Sequence, residues 1–354
     1  MTNTELRVAT NNINVAGVVK EHKLEVKEGT YQSGDQKGKT YTYIQGKLVI
    51  KAGETKEISL SCRANQLTKQ GKTNATFDTL AGFINGTYPT MATDGVTEEE
   101  ATKVSVWGKG DYAPQFSDIM VPDKGEIKEM VGFKLGFGRL NIKDNLAPEE
   151  YKAGFEVEMF VTNVEPEVKN QLPTGRTIVH GVVPMFGGTA MPLSIVAEDT
   201  MEDDGEVIPF AQQVLSGVYP NSTFIFWGDI RYERIESKIT KGGTFGRAKT
   251  ETEVTTVKEF VAIGGDIIAP DNSYTEDEIR QALAEREQQK QNRLAEEEQK
   301  QTKQVKGLGG ITAPKPVAGV RPGVPTPPKP VAGATAPVKP VMPPKPTMAT
   351  KVGF

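Results

Sequence analysis

One cysteine, two histidines and two tryptophans are all that 354 residues supply of those types. With Cys62 alone, no disulfide can form within the chain, and a reducing compartment, the cytoplasm, is the expectation. Cys62 sits in a strand-like run between Leu60 and Arg63 and reads as a small buried hydrophobe. His22 and His180 have no second ligand type at metal spacing, which excludes a zinc site. Two unmatched histidines and one cysteine also cannot assemble a Ser/His/Asp or Cys/His set. The chain therefore reads as non-enzymatic, with no cofactor and no metal. No apolar run approaches the ~20 residues of a membrane-spanning helix. The opening MTNTELRVATNN lacks the basic-then-apolar build of a signal peptide. A soluble, intracellular protein without a membrane partner is expected.

Apolar residues make up only 37% of the chain and charged ones 25%, so a sizeable polar part must accompany any core. The net charge of −4 is uneven. Residues 307–354 hold six Lys/Arg and no Asp/Glu, which is +6, so residues 1–306 carry −10. Overall charge thus gives no general argument for nucleic acid.

What is present is a duplication. Val15–Val19 matches Val157–Val161, and Gly46–Ile50 matches Gly175–Val179. Ile84–Pro89 matches Leu215–Pro220, and Val106-Trp107-Gly108 matches Phe226-Trp227-Gly228. Ile127–Val131 matches Val257–Val261 through a shared Lys-Glu pair. Five collinear matches spaced near 130 residues mean tandem domains, because solenoid periods are much shorter.

Each copy predicts the same elements. A first strand covers Asn14–Val26 or Glu156–Val168, a second Tyr41–Ile50 or Arg176–Pro184, and a third Glu57–Ala64 or Met191–Ala197. A helix follows around Phe77–Asn85 or Pro209–Ser216, with Gly86 and Gly217 in the place of a C-terminal glycine. A fourth strand ends at the Trp-Gly pair, and a fifth holds the Lys-Glu match. The order β-β-β-α-β-β is that of the oligonucleotide/oligosaccharide-binding (OB) barrel. The fold class expected is all-β with minor α: two tandem OB-fold-like barrels over 1–140 and 141–274, with some other two-domain β sandwich or barrel as the alternative. A polar helix over 275–306 opens on the capping box Thr275–Glu278, with Glu276–Arg280 and Glu296–Lys300 as supporting pairs and few apolar positions. It reads as solvated. Residues 307–354, holding 12 of the 23 prolines and a repeated Pro-Lys-Pro-Val-Ala-Gly, read as a disordered Pro/Lys-rich tail.

Barrels of this class hold single strands on an open face flanked by the loops joining strands one to two and four to five. Such binding needs cations for phosphates and flat side chains for bases. In copy one the first loop offers Lys37 and Lys39 with Tyr31, Tyr41 and Tyr43 beside them, and Arg63 follows on strand three. In copy two the last loop, about Ser237–Thr255, offers Lys238, Lys241, Arg247 and Lys249, with Phe245 between two glycines. Arg231, Lys109, Trp107 and Trp227 complete the candidates for nucleic-acid contact. The residues leave both roles open for the tryptophans, stacking on bases or packing under a loop or the other copy. Copy two carries Glu198, Asp199, Glu202, Asp203, Asp204 and Glu206 where copy one is basic, so either the copies divide their roles or that loop faces away from the bound strand. Gly34–Thr40 imitates a phosphate loop, but it has three residues between its glycines and precedes a strand, not a helix.

Strand order, helix placement, the Gly after strand four and the aromatic, basic loops resemble single-stranded DNA-binding proteins, phage-encoded members above all, over residues 12–268. The resemblance implies sequence-tolerant binding of single-stranded DNA in replication or recombination, with further replication or recombination proteins as partners through the tail. The tail departs from it. Many such proteins end in an acidic segment, whereas this one is basic with a hydrophobic tip, Val352 and Phe354. Two alternatives remain open on the residues: a phage structural or assembly protein using barrels for protein contact, and an accessory subunit of a replication enzyme.

Overall fold

The structure, a computed structural model, describes residues 6–308 except 69, 109–112, 124, 202–204 and 242–248; over 232–241, 249–257 and 300–308 it describes the backbone only. The tail lies outside the described residues. Residues 1–304 make one compact unit and 305–354 another, of which only the helix end at 305–308 is described.

The first of the two matched segments, termed repeat 1, opens with three antiparallel strands, β1 (Asn11–Thr30), β2 (Thr40–Lys51) and β3 (Glu57–Asn65). Alternation is plain in β3, where Ile58, Leu60, Cys62 and Ala64 are buried and their neighbours are not. Helix α1 (Ala75–Ile84) starts where the Asn74 side chain accepts from the Thr76 amide at 3.1 Å, and it buries Phe77, Leu80 and Phe83. It ends at Asn85, and Gly86 follows with φ +79°, the left-handed C-terminal glycine expected. Strand four is split. β4 (Lys103–Trp107) pairs with β1, and β5 (Gln115–Asp123) pairs with β6 (Glu126–Lys134). β6 closes on β3 in parallel at Leu60 and Phe133. The short β7 (Arg139–Ile142), which no periodicity announces, covers the edge of β4.

Repeat 2 follows the same circuit with its strands whole. β8 (Lys152–Lys169), β9 (Leu172–Pro184) and β10 (Ala190–Ala197) are antiparallel. A two-strand ribbon, β11 (Thr200–Met201) and β12 (Val207–Ile208), leads to α2 (Phe210–Gly217). β13 (Ser222–Lys241) and β14 (Lys249–Ile267) form a long hairpin. β14 pairs with β10 in parallel and β13 returns to β8, so the pairings run β8–β9–β10–β14–β13–β8 and close a ring.

Two expectations change here. Gly217 is not in the left-handed region; it is the last residue of α2. The fourth strand of repeat 2 does not end at Trp227-Gly228 but runs on through a register shift there. A Cβ at Gly228 would stand 2.0 Å from the Val261 carbonyl oxygen, so only glycine lets the strand pass this bulge.

The repeats share one sheet. Asn11–Ala16 of β1 pairs antiparallel with Lys152–Val157 of β8. They also share a core. Phe116 and Phe133 of repeat 1 meet Phe155 and Phe260 of repeat 2, and Phe116 and Phe260 stand edge-to-face at 4.9 Å. Helix α3 (Glu276–Leu308) opens on the expected capping box, with the Thr275 amide donating to Glu278 Oε2 at 2.9 Å. Arg280 pairs with Asp277, not with Glu276. The first turns are not solvated. Ile279, Ala282 and Arg286 are buried, and Arg286 donates to Asp118 and Glu129 on the β5–β6 hairpin, each at 2.6 Å. Arg293 donates to the Met120 carbonyl at 2.9 Å. The helix thus leaves repeat 2 and lies on repeat 1.

Candidate nucleic-acid interface

The loop between β1 and β2 is closed by its own backbone. The Tyr31 amide donates to the Lys39 carbonyl and the Gly38 amide to the Tyr31 carbonyl, at 3.0 and 2.9 Å. Gly34 and Gly38, at φ +75° and +83°, make the turns possible. This segment leads into a strand, in keeping with its rejection as a phosphate loop.

On that frame three tyrosines form a ladder. The rings of Tyr31 and Tyr41 are 4.6 Å apart and those of Tyr41 and Tyr43 5.5 Å, inclined by 39° and 34°. The Arg63 guanidinium lies 4.5 Å over the Tyr43 ring and donates to the Tyr41 hydroxyl at 3.1 Å. All four side chains are partly or fully exposed, and Lys37 and Lys39 are exposed beside them. Tyr41 lies flat because its cross-strand partner is Gly29, where a Cβ would come within 2.7 Å of the ring. Sequence reasoning missed Gly29. The available signal was a glycine in the strand directly opposite an aromatic, and it needed the register to be seen.

The two tryptophans come together in a second place. Trp107 and Trp227, 44% and 38% exposed, line one open trough of about 630 Å³ across the β1–β8 junction. Gly108, Gly154 and Gly228 keep its floor low, with Asn12, Asn14 and Glu156 between. The Trp227 indole lies over Gly264, where a Cβ would stand 2.4 Å from Nε1. Neither ring is buried in the core.

Other candidates fall elsewhere. Arg231 is bound by Glu198, at 3.0 Å for the longer contact, so its charge is met within the protein. Lys238 and Lys241 lie on β13 and Lys249 on β14, with side chains outside the described residues. Phe245, Arg247 and Lys109 also lie outside them. Of the acidic stretch in repeat 2, Asp199 accepts from the Ala211 amide at 3.1 Å and so caps the start of α2. Cys62 is buried, and desolvation pushes its thiol up to about 12, so it stays unreactive. Among the described residues, no helix is long and apolar enough to cross a membrane, and no three His, Cys, Asp or Glu side chains group to hold a metal ion.

The described residues therefore define a mostly β protein with a C-terminal helix and a partly exposed, cation-capped tyrosine cluster. The chain matches the YorF family over residues 9–301 and belongs to that family. No curated protein matches it. Among solved structures, it is similar to a deletion mutant of the single-stranded DNA-binding protein from Thermus aquaticus. The likeness has 10% identity and a TM-score of 0.36, covering 75% of this chain and 98% of that one.

Proposed function

We propose that this protein binds single-stranded DNA without catalysing a reaction, and that each repeat is an OB barrel. The observation that carries the reading is the ladder Tyr31–Tyr41–Tyr43 capped by Arg63. Stacked rings left half-buried at a surface are costly there, and they supply flat faces on which successive bases stack whatever their sequence. Lys37, Lys39 and Arg63 supply charge for the phosphates beside them. The barrel reading is supported by the pairing circuit, in which strand one meets two and four, and three meets five in parallel. Trp107 and Trp227 offer two further faces across their trough.

The function fits replication or recombination of DNA, for a phage in the cytoplasm of its host. The test is a titration with fluorescent oligo-dT at low salt. Expected is saturable binding that weakens as salt rises, with a slope of about −0.7 per phosphate neutralised. No binding at micromolar protein would refute the reading.

A further inference from the structure

The exposed face of the β2–β3 ribbon does not stop at the ladder. Tyr41, Tyr43, Gln45 and Lys47 alternate along β2 with Ile44 and the other inward residues. The cross-strand partners of Tyr43, Gln45 and Lys47 are Asn65, Arg63 and Ser61 on β3, with Ser59 next in line. Lys47 is four residues past Tyr43, about 13 Å along a strand rising ~3.3 Å per residue. There the ribbon enters a cleft of about 1000 Å³ between the repeats, walled by Lys47, Ser59 and Ser61 on one side and by His180 and Ser194 on the other.

At the cleft stands Lys258 of β14. Its ammonium lies 4.4 Å over the Phe133 ring and 5.4 Å over Phe260, and it donates to the Val131 carbonyl. Among the described residues no carboxylate pairs with it. Glu259, the acid in the cleft, is engaged by Arg176 at 3.1 Å and Lys169 at 3.6 Å. The matched residue of repeat 1, Lys128, is exposed and pairs with Asp123. A cation drawn out of water without a counter-ion is electrostatically incomplete, and a cleft beside it gives an anion access.

We propose that the cleft between the repeats receives a phosphodiester of the strand seated on the tyrosine ladder, with Lys258 as its anchoring cation and Lys47 flanking it; His180 is engaged by Ser194 and Glu165. The inference rests on the single-strand reading above. Desolvation lowers the Lys258 pKa to about 8, so an anion also restores its proton. The charged or titratable groups facing it in the cleft are Lys47 from β2, His180 from β9 and Glu259 from its own strand. The lining from β3, β5, β6, β8, β10 and α3 carries none among the described residues.

The experiment titrates oligo-dT of about four and about sixteen nucleotides, the span of single-barrel sites. It uses the full chain, Lys258→Met, Lys258→Arg and Tyr41→Ala/Tyr43→Ala, at pH on either side of 8. The long oligonucleotide should lose about tenfold in affinity with Lys258→Met, the size of one charge-assisted hydrogen bond. Wild-type affinity for it should fall as pH rises through 8, and Lys258→Arg should abolish that fall. The short oligonucleotide should bind wild type, Lys258→Met and Lys258→Arg alike. Lys258→Met should fold, since it removes an unpaired cation, and a thermal melt checks this. Wild-type affinity and pH dependence in a folded Lys258→Met would overturn the cleft site. If the tyrosine variant then still loses binding, the ladder reading stands alone. If wild type binds neither oligonucleotide, the ladder reading fails and the cleft site with it.

Discussion

The two repeats share a pairing circuit but elaborate opposite hairpins. Repeat 1 spends residues 31–39 between β1 and β2 and builds its tyrosine ladder there. Repeat 2 joins β8 to β9 by Asn170 and Gln171, at φ +51° and +67°, a two-residue turn with no room for a binding loop. Its length goes instead into β13 and β14, which run on well beyond the ring. The shared pairing circuit thus accommodates a long hairpin at either place.

The largest expected effect tests how firmly the unequal halves are tied. Arg286→Met strips the counter-charge from Asp118, leaves Glu129 with Lys290 alone, and should cost about 3 kcal/mol of stability in a urea melt, as for other half-broken buried pairs. A loss below about 1 kcal/mol would mean that α3 is only laid against repeat 1. Next, Tyr41→Ala/Tyr43→Ala should weaken oligo-dT binding by about 2 kcal/mol or more, at ~1–3 per stacked base. Equal loss from replacing Asn170 and Gln171 would erase the contrast between the hairpins.

A smaller pair compares matched glycines. Gly86→Ala should cost about 1 kcal/mol, because φ +79° strains any side chain. Gly217→Ala should gain about 0.5 kcal/mol, because its position is helical with nothing near an added Cβ. Thermal melts of both would sink the contrast if the signs agreed. The smallest effect is in pH. The Lys290 and Arg286 bonds hold the Glu129 carboxyl below its usual range against partial desolvation. That contribution is present above the unfolded carboxylate pKa and is lost as pH falls through the lowered one. Glu129→Gln should therefore flatten the acid limb of the stability curve.

Much of this was legible in the residues. The strand runs, α1 and α2, the capping box at Thr275 and the aromatic loop before Tyr41 all rest on local spacing, which one stretch of chain can display. What escaped rests on distant partners. The Arg231–Glu198 pair, the Arg286–Asp118 pair that buries the start of α3, and the β1–β8 pairing join residues 33, 168 and 136–146 positions apart, and no periodicity encodes them. The split of strand four between Trp107 and Gln115 was equally hidden, since either half reads as a strand.

The β1–β8 pairing has a consequence for how such a chain arises. Counting from the matched Val15 and Val157, Asn11 corresponds to Ala153 and Ile13 to Phe155. Asn11 pairs with Val157, Val15 with Ala153, and Ile13 with Phe155. The register is thus its own mirror about one pair, as in an isologous contact, where each subunit offers the same patch to the other. One ancestral unit with this strand free would carry both halves of a symmetric dimer. Fusion of its two subunits would keep that contact while releasing each half to mutate alone.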